Sequence, residues 1–173
     1  MRHAVARSRF VALPALLLVA VWTAFAAPPA PPSLTFAASS ARVRQAAERA
    51  LRDGEYVVSG YGPAVIGTLR RETRTTNQQA AAIEELRRIS RFDPAQIPEP
   101  RALREYRVTQ TVTVTQVSEA STSVTVHTEI VTLSRMPTTA EGPGPRMAFP
   151  SLGVVEEETL LRMREHLAEP ATR

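Results

Sequence analysis

The stretch from Arg104 to Leu133 constrains the fold more than any other part of this sequence. It reads REYRVTQTVTVTQVSEASTSVTVHTEIVTL, two Thr- and Val-rich runs in which apolar and polar residues alternate. Successive side chains of a β-strand point to opposite faces, so the alternation predicts strands with one buried and one solvated face. A short polar segment near Ser118–Ser121 separates the runs, and we therefore expect one long antiparallel hairpin.

The faces of this hairpin follow from the parity of its apolar residues. On the first run these residues share one face: Tyr106, Val108, Val112 and Val114. On the return run the parity changes: Val124, Val126 and Ile130 share one face, whereas Val131 and Leu133 share the other. One inserted residue switches the face of every residue after it, so the change predicts a β-bulge near Thr128 or Glu129.

The rest of the chain predicts elements that extend and cover this hairpin. Apolar residues recur three or four apart in 41–53, 77–91 and 154–168, which predicts three amphipathic helices. A shorter hairpin is expected from strands at 55–61 and 64–74, which the turn signal Gly62–Pro63 separates.

The resulting order, α-β-β-α-β-β-α, predicts one α+β domain over 40–169. Its four-stranded antiparallel sheet packs helices on one face, and residues 170–173 form a tail. The Pro- and Gly-rich segment from Arg135 to Pro150 is expected to be a loop, either mobile or a functional flap.

The N-terminal segment has the pattern of a secretory signal peptide. Three arginines precede an apolar run from Phe10 to Phe25, and Ala24-Phe25-Ala26 matches the small-x-small cleavage rule. We therefore expect a signal peptide over 1–26, a Pro-rich tether over 27–39 and a periplasmic location. The alternative is an uncleaved leader that anchors a structural protein in the inner membrane, facing the periplasm, with the tether as a spacer.

Composition excludes several classes of function. The formal net charge is +4, but the leader holds three of the 21 basic residues and no acid. The remaining 18 basic and 17 acidic residues nearly cancel, which gives no indication of nucleic-acid binding. The chain has no Cys, so disulfides, Cys-based zinc sites and a lipid-anchored N-terminal cysteine are all excluded. No motif indicates a cofactor.

The order of elements, closing with PSLGVVEEETLLRMREHL, resembles helix-grip-like domains of exported bacterial proteins, such as the BamC-type assembly lipoproteins. It also resembles many small exported proteins of unknown function. The resemblance covers Ser40 to Glu169 as a pattern of elements, and the missing lipid-anchor cysteine departs from the BamC type. It implies binding of partner proteins during envelope assembly, and it assigns a role to no particular residue.

The leading hypothesis from the sequence is a non-catalytic envelope protein that binds a protein partner or a lipid-like amphiphile. Helices across a long sheet can leave a groove at the helix–sheet seam. The aromatic residues that would line it are Tyr56, Tyr61, Tyr106 and Phe149. The alternative for these four side chains is that they complete the core.

A second candidate site is an anion-binding face. Its residues are Arg70, Arg71, Arg74, Arg87, Arg88 and Arg91, and Arg101, Arg104 and Arg107 follow them. If these guanidinium groups converge, they bind lipid head groups or acidic envelope polymers. Glutamates are interleaved with these arginines, so the alternative is an ordinary solvated surface of mixed charge.

The competing hypothesis is a small periplasmic hydrolase or a metal-dependent enzyme. It rests on His127, Glu129 and His166, since imidazole and carboxylate groups are common metal ligands. The sequence contains no G-x-S-x-G, H-E-x-x-H or P-loop motif. A site from these three residues requires that distant segments bring them together.

Overall fold

The computed structural model describes residues 31–93, 95, 103–134 and 146–169. Over these residues it confirms an α+β fold with one antiparallel sheet and three helices, but the sheet has six strands rather than four. The elements in chain order are β1 (Ser33–Phe36), α1 (Ser40–Asp53), β2 (Val57–Tyr61), β3 (Ala64–Glu72), α2 (Thr76–Ile89), β4 (Leu103–Ser118), β5 (Ser121–Ser134), β6 (Arg146–Pro150) and α3 (Val154–Ala168). The predicted signal peptide, the start of the tether, the tail and residues 135–145 of the predicted loop lie outside the described residues.

The predicted long hairpin is the centre of the sheet. β4 and β5 pair antiparallel from Leu103↔Ser134 to Ser118↔Ser121, and the strand order is β1-β5-β4-β3-β2. Tyr106, Val108, Val112 and Val114 share the buried face of β4, as their parity predicts.

The prediction of a β-bulge near Thr128 or Glu129 is wrong. Pairing of β4 with β5 is regular from Glu105 to Gln116, and its irregularities lie only at the two ends of the hairpin. Polar residues continue the buried face of β5 where apolar residues were expected: Thr128, Thr132 and Ser134. Thr128 lies opposite buried Gln110, whose Nε2 is 3.4 Å from the threonine hydroxyl. Of these three residues Thr128 is hydrogen-bonded to Gln110, whereas the buried hydroxyls of Thr132 and Ser134 have no hydrogen-bond partner. Polar residues thus occupy the inner face of β5 without any change of face.

Two additional strands pair with the same edge of β5. β1 comes from the end of the predicted tether and pairs with Thr122–Thr125, whereas β6 comes from the end of the predicted loop and pairs with Glu129–Leu133. The backbone N–H of Val126 donates to the carbonyl of Pro32 at 3.2 Å. β1 alternates polar and apolar residues over only four positions, and β6, which reads RMAFP, does not alternate, so periodicity reveals neither strand.

The described helices contact one face of the sheet. α1 buries the predicted stripe of small and apolar residues, Val43, Ala46, Ala47, Ala50 and Leu51. α3 donates from the hydroxyl of Thr159 to Oε1 of Gln110 at 2.7 Å. α2 begins with a capping box in which Thr75 and Gln78 satisfy each other's backbone N–H groups. No helix among the described residues is long and apolar enough to cross a membrane.

Candidate functional site

The edge of the sheet at β2 and β3 contains a notch. A two-residue loop at Gly62–Pro63 joins these strands, and Gly62 has a φ of 59° that suits the first position of such a turn. Pairing runs from Tyr61↔Ala64 to Val57↔Thr68, and Val57 is the first residue of β2. β3 continues to Glu72 and pairs there only with β4 among the described strands. Residues 69–72 thus have a strand on one side and an open edge on the other.

The backbone groups at this open edge follow from the register. In an antiparallel ladder, alternate residues direct both N–H and C=O toward one neighbouring strand and then the other. Tyr61 and Ala64 close the two-residue turn, so the backbone N–H and C=O of Ala64 point toward β2. The backbone groups of Thr68, Arg70 and Glu72 therefore point to this same side of β3. Consistent with this, the N–H of Thr73 faces β4 and donates to the carbonyl of Arg104 at 2.8 Å. No hydrogen bond within the described chain uses the backbone of Arg70 or Glu72 on the open side.

A cavity of about 350 Å³ lies at the notch. Its charged lining residues are Glu55, Arg70, Arg71 and Arg107. Val57 also lines it and is 77% exposed, the highest value among the large hydrophobic residues described. The notch thus combines open backbone groups, three guanidinium groups and an exposed apolar side chain.

A buried carboxylate holds two of the arginines on the outer face of the sheet. The side chain of Glu105 is only 4% exposed, and its oxygens lie 2.6 Å from Arg70 and 3.2 Å from Arg107. The hydrogen bond that Arg70 donates to Glu105 raises the pKa of Arg70 above its ordinary value. Nε of Arg107 is buried and has no hydrogen-bond partner. Glu105 therefore positions two guanidinium groups and leaves donor capacity on both.

The third arginine, Arg71, points to the helix side, where its guanidinium pairs with Glu55. The hydrogen bond to Glu55 raises the pKa of Arg71. Glu55 has a φ of 64°, the one positive value among the described non-glycine residues. This left-handed conformation belongs to a Schellman motif that ends α1, because the N–H of Tyr56 donates to the carbonyl of Leu51 at 3.0 Å and the N–H of Glu55 donates to that of Arg52 at 2.9 Å. The carboxylate of Glu55 is nevertheless 69% exposed, so solvent can reach the Arg71 pair.

The charge around the notch is positive. Residues 54–56, 69–74 and 103–107 carry five arginines and three glutamates. Glu72 lies 2.7 Å from Arg74 and 3.3 Å from Arg70. The hydrogen bond from Arg74 is the main cause that lowers the pKa of Glu72, and the charge of Arg70 adds to it. The formal charge of these segments is therefore +2.

The aromatic residues predicted to line a groove are separated. Tyr56 and Tyr106 are buried in the core, and burial raises the pKa of both hydroxyls, that of Tyr56 to about 12. Tyr106 lies opposite Arg71 in the pairing of β3 with β4, and the charge of Arg71 partly offsets the effect of burial on the Tyr106 pKa. Phe149 instead packs edge-on against Phe92 with ring centroids 5.1 Å apart. Tyr61 lies in β2, and the placement of its side chain is outside the description.

The predicted anion-binding arginines divide into two groups. Only Arg70 and Arg71 line the notch, and Arg74 lies beside it. On α2, Arg87 pairs with Glu84 at 2.8 Å, and Arg88 pairs with Glu85 and Glu158 at 2.9 and 2.7 Å. Arg91 is exposed just after α2. The helix arginines therefore form ordinary surface pairs, and the six do not make one face.

The residues of the enzyme hypothesis do not converge. His127 and Glu129 are exposed on the outer face of the sheet, away from the helices. His166 lies on α3, where its Nε2 is 2.7 Å from the Asp53 carboxylate of α1. No group of three potential metal-ligating side chains occurs in the described part of the chain. The sheet therefore separates His166 from His127 and Glu129.

The donors of the notch suit recognition of a carboxylate or phosphate, since guanidinium groups bind such anions in a forked geometry. Sequence reasoning missed Glu105 and Glu55, which position the arginines. Strand parity places Glu105 and Arg107 on one face, but the contact with Arg70 depends on the register of β3 against β4. No family model, curated protein or solved structure matches this chain.

Proposed function

We propose that this chain is an exported, non-catalytic binding module of the cell envelope that holds a protein partner at the notch. The N-terminal pattern of arginines, apolar run and small-x-small site supports export to the periplasm. Envelope assembly is the role implied by the resemblance to BamC-type domains. The proposal takes the location and the type of activity from these features and takes the site from the fold.

One observation carries the proposal: β3 has an open edge at a charged cavity. Exposed strand edges are sites where another chain can pair, and native sheets usually cover or shorten them. Here the edge is four residues long and lies beside three arginines and an exposed Val57. A protein partner can use all three features at once. A lipid-like amphiphile would use the cations and Val57 but would leave the backbone groups unpaired.

Site-specific photocrosslinking in the native envelope tests this proposal. A photoreactive residue at position 57 is compared with one at Val117, at the tip of the β4–β5 hairpin and 64% exposed. We expect a discrete protein adduct from position 57 and none from position 117, because both are exposed valines but only one adjoins the notch. The same adducts at both positions, or none at position 57, would overturn the proposal.

The location has its own test. Mass spectrometry of the protein recovered from the envelope reports its N-terminal residue. We expect Ala27 or a residue close to it, since the small-x-small pattern ends at Ala26. An intact Met1 in the membrane fraction would replace the periplasmic location by the anchored alternative.

A further inference from the structure

We infer that the notch takes an extended acidic peptide segment of the partner, paired edge to edge with β3. This inference rests on the proposed function and specifies the chemistry of what the notch binds.

The backbone at the edge sets the form of the ligand. Arg70 and Glu72 direct two N–H and two C=O groups to the open side, so a strand beside them gains up to four hydrogen bonds. Residues 69–72 span about 13 Å at the rise of a strand. A segment of four or five residues in extended conformation fills this length. Such addition of a strand to a sheet edge is a general mode of peptide recognition.

The charge around the notch sets the side chains of the ligand. Five arginines outnumber three glutamates there, and a carboxylate on the added strand reduces the excess. On the outer face, Glu105 binds Arg70 and Arg107, whose side chains remain 52% and 42% exposed. A guanidinium group has five N–H donors, so these arginines can hold Glu105 and a ligand carboxylate together.

Arg71 can accept a ligand carboxylate by exchange. Its present partner Glu55 is 69% exposed, and the side chain of Arg71 is itself 48% exposed. An exposed ion pair contributes little to stability, so release of Glu55 to solvent is easy. The ligand carboxylate then takes its place, and Val57 offers an apolar contact to a neighbouring side chain.

Amide hydrogen exchange of the full mature chain tests the inference residue by residue. The probe is a synthetic peptide of about seven alternating Glu and Thr residues with both ends blocked, long enough to cover the open edge. We expect the amides of Arg70 and Glu72 to exchange about tenfold more slowly with the peptide bound. The amides of Leu69 and Arg71 already face β4 and should not change.

Two matched peptides separate the backbone and charge contributions. Replacement of every Glu by Gln should weaken binding about tenfold or more, because charge-assisted hydrogen bonds are lost. Methylation of the peptide nitrogens that face β3 should abolish both binding and protection, whereas methylation of the alternate nitrogens should do neither. Equal binding of the Glu and Gln peptides would overturn the acidic requirement.

The variant Arg71→Gln should bind the Glu peptide more weakly than the natural chain does. Its control Arg87→Gln alters an exposed ion pair on α2 and should leave binding of the peptide unchanged. Inorganic phosphate should compete weakly and leave Arg70 and Glu72 unprotected. Phosphate that binds as tightly as the peptide, without protection by either ligand, would show a free-anion site and overturn the inference. A crosslink at position 57, together with no slower exchange of the Arg70 and Glu72 amides when the peptide is added, would contradict this inference but not the proposed function.

Discussion

Gly67 contributes to the fold through the side chain that it lacks. A Cβ atom there would lie 2.8 Å from Cδ2 of Leu51 and 3.1 Å from Cβ of Tyr56. Both neighbours are buried, so neither can move without disturbing the packing of α1 on the sheet. The close approach of the alanine-rich helix to β3, and hence the position of Tyr56 and the turn that carries Glu55, depends on this residue.

The variant Gly67→Ala should lower the free energy of unfolding by about 1–3 kcal/mol, the usual effect of overpacking. Its matched control is Gly60→Ala in β2, where the new Cβ would lie 2.8 Å from Nη2 of Arg44. That atom is the end of a long flexible side chain and can move away, so the control should change stability little. Urea unfolding of both variants measures the difference, and equal effects would contradict the role given to Leu51.

At the level of elements, α3 and the central hairpin are joined by a buried polar network. The hydroxyl of Thr159 donates to Oε1 of Gln110, whose Nε2 is near Thr128. All three residues are buried. A hydrogen bond in such a place fixes the position of the helix along the strands, since any shift leaves an unpaired polar atom in the interior.

The variant Thr159→Val should cost about 1–3 kcal/mol of stability, because Oε1 of Gln110 loses its donor. Adding Gln110→Met removes the unpaired amide, so the double variant should be more stable than the sum of the two single changes predicts. Thr111→Val, the same change on the half-buried outer face of β4, is the control and should have little effect. Denaturant unfolding of the full cycle measures the coupling, and strict additivity would contradict the network.

The elements divide into those that local sequence predicts and those that it does not. The hairpin and the three helices were predictable, since each shows its own period over many residues. β2 and β3 were predictable because the turn signal Gly62–Pro63 separates them. β1 and β6 were not, because each has only four or five residues and lies beside prolines or glycines. The bulge was wrongly predicted because Thr128 and Thr132 were assigned to solvent by residue type. A threonine fits either face of a strand, and its buried neighbours decide which one it takes.

For the whole molecule, the site was less predictable than the fold. The expected strand bounds left the second strand of the short hairpin longer than the first, which is the origin of the open edge. The sequence could not show which arginines line the notch, because Arg70 comes close to Glu105 and Arg107 only through the pairing of β3 with β4. Arg87 and Arg88 also have glutamates close to them in the sequence, but they lie on α2 and form ion pairs with Glu84 and Glu85 of the same helix.

Burial of Tyr56 predicts how the stability of the molecule depends on alkaline pH. An unfolded chain loses this phenolic proton near pH 10, whereas the folded chain keeps it up to about pH 12. The unfolded state therefore binds fewer protons between these values, and the free energy of unfolding falls as pH rises. The difference between the unfolded and folded pKa values of Tyr56 corresponds to about 2–3 kcal/mol of unfolding free energy, lost by about pH 12. The raised pKa of Tyr106 adds to this loss.

Denaturant unfolding at several values between pH 9 and about pH 12 measures this loss, with phenolate absorbance as the report of ionisation. The variant Tyr56→Phe should show a flatter profile than the natural chain over the same range. A profile identical to that of the natural chain would mean that Tyr56 titrates alike in both states.

The end-to-end arrangement of β1 and β6 along β5 determines where an external load acts. Chain upstream of Pro32 leaves the sheet beside Val126, at the middle of an edge rather than at a corner. Tension on it is borne first by the four residue pairs of β1. Detachment of β1 would uncover Phe36 and its neighbours while β2 to β6 stay paired. The notch lies at the opposite edge, so loss of β1 would leave the pairing of β2, β3 and β4 around it unchanged.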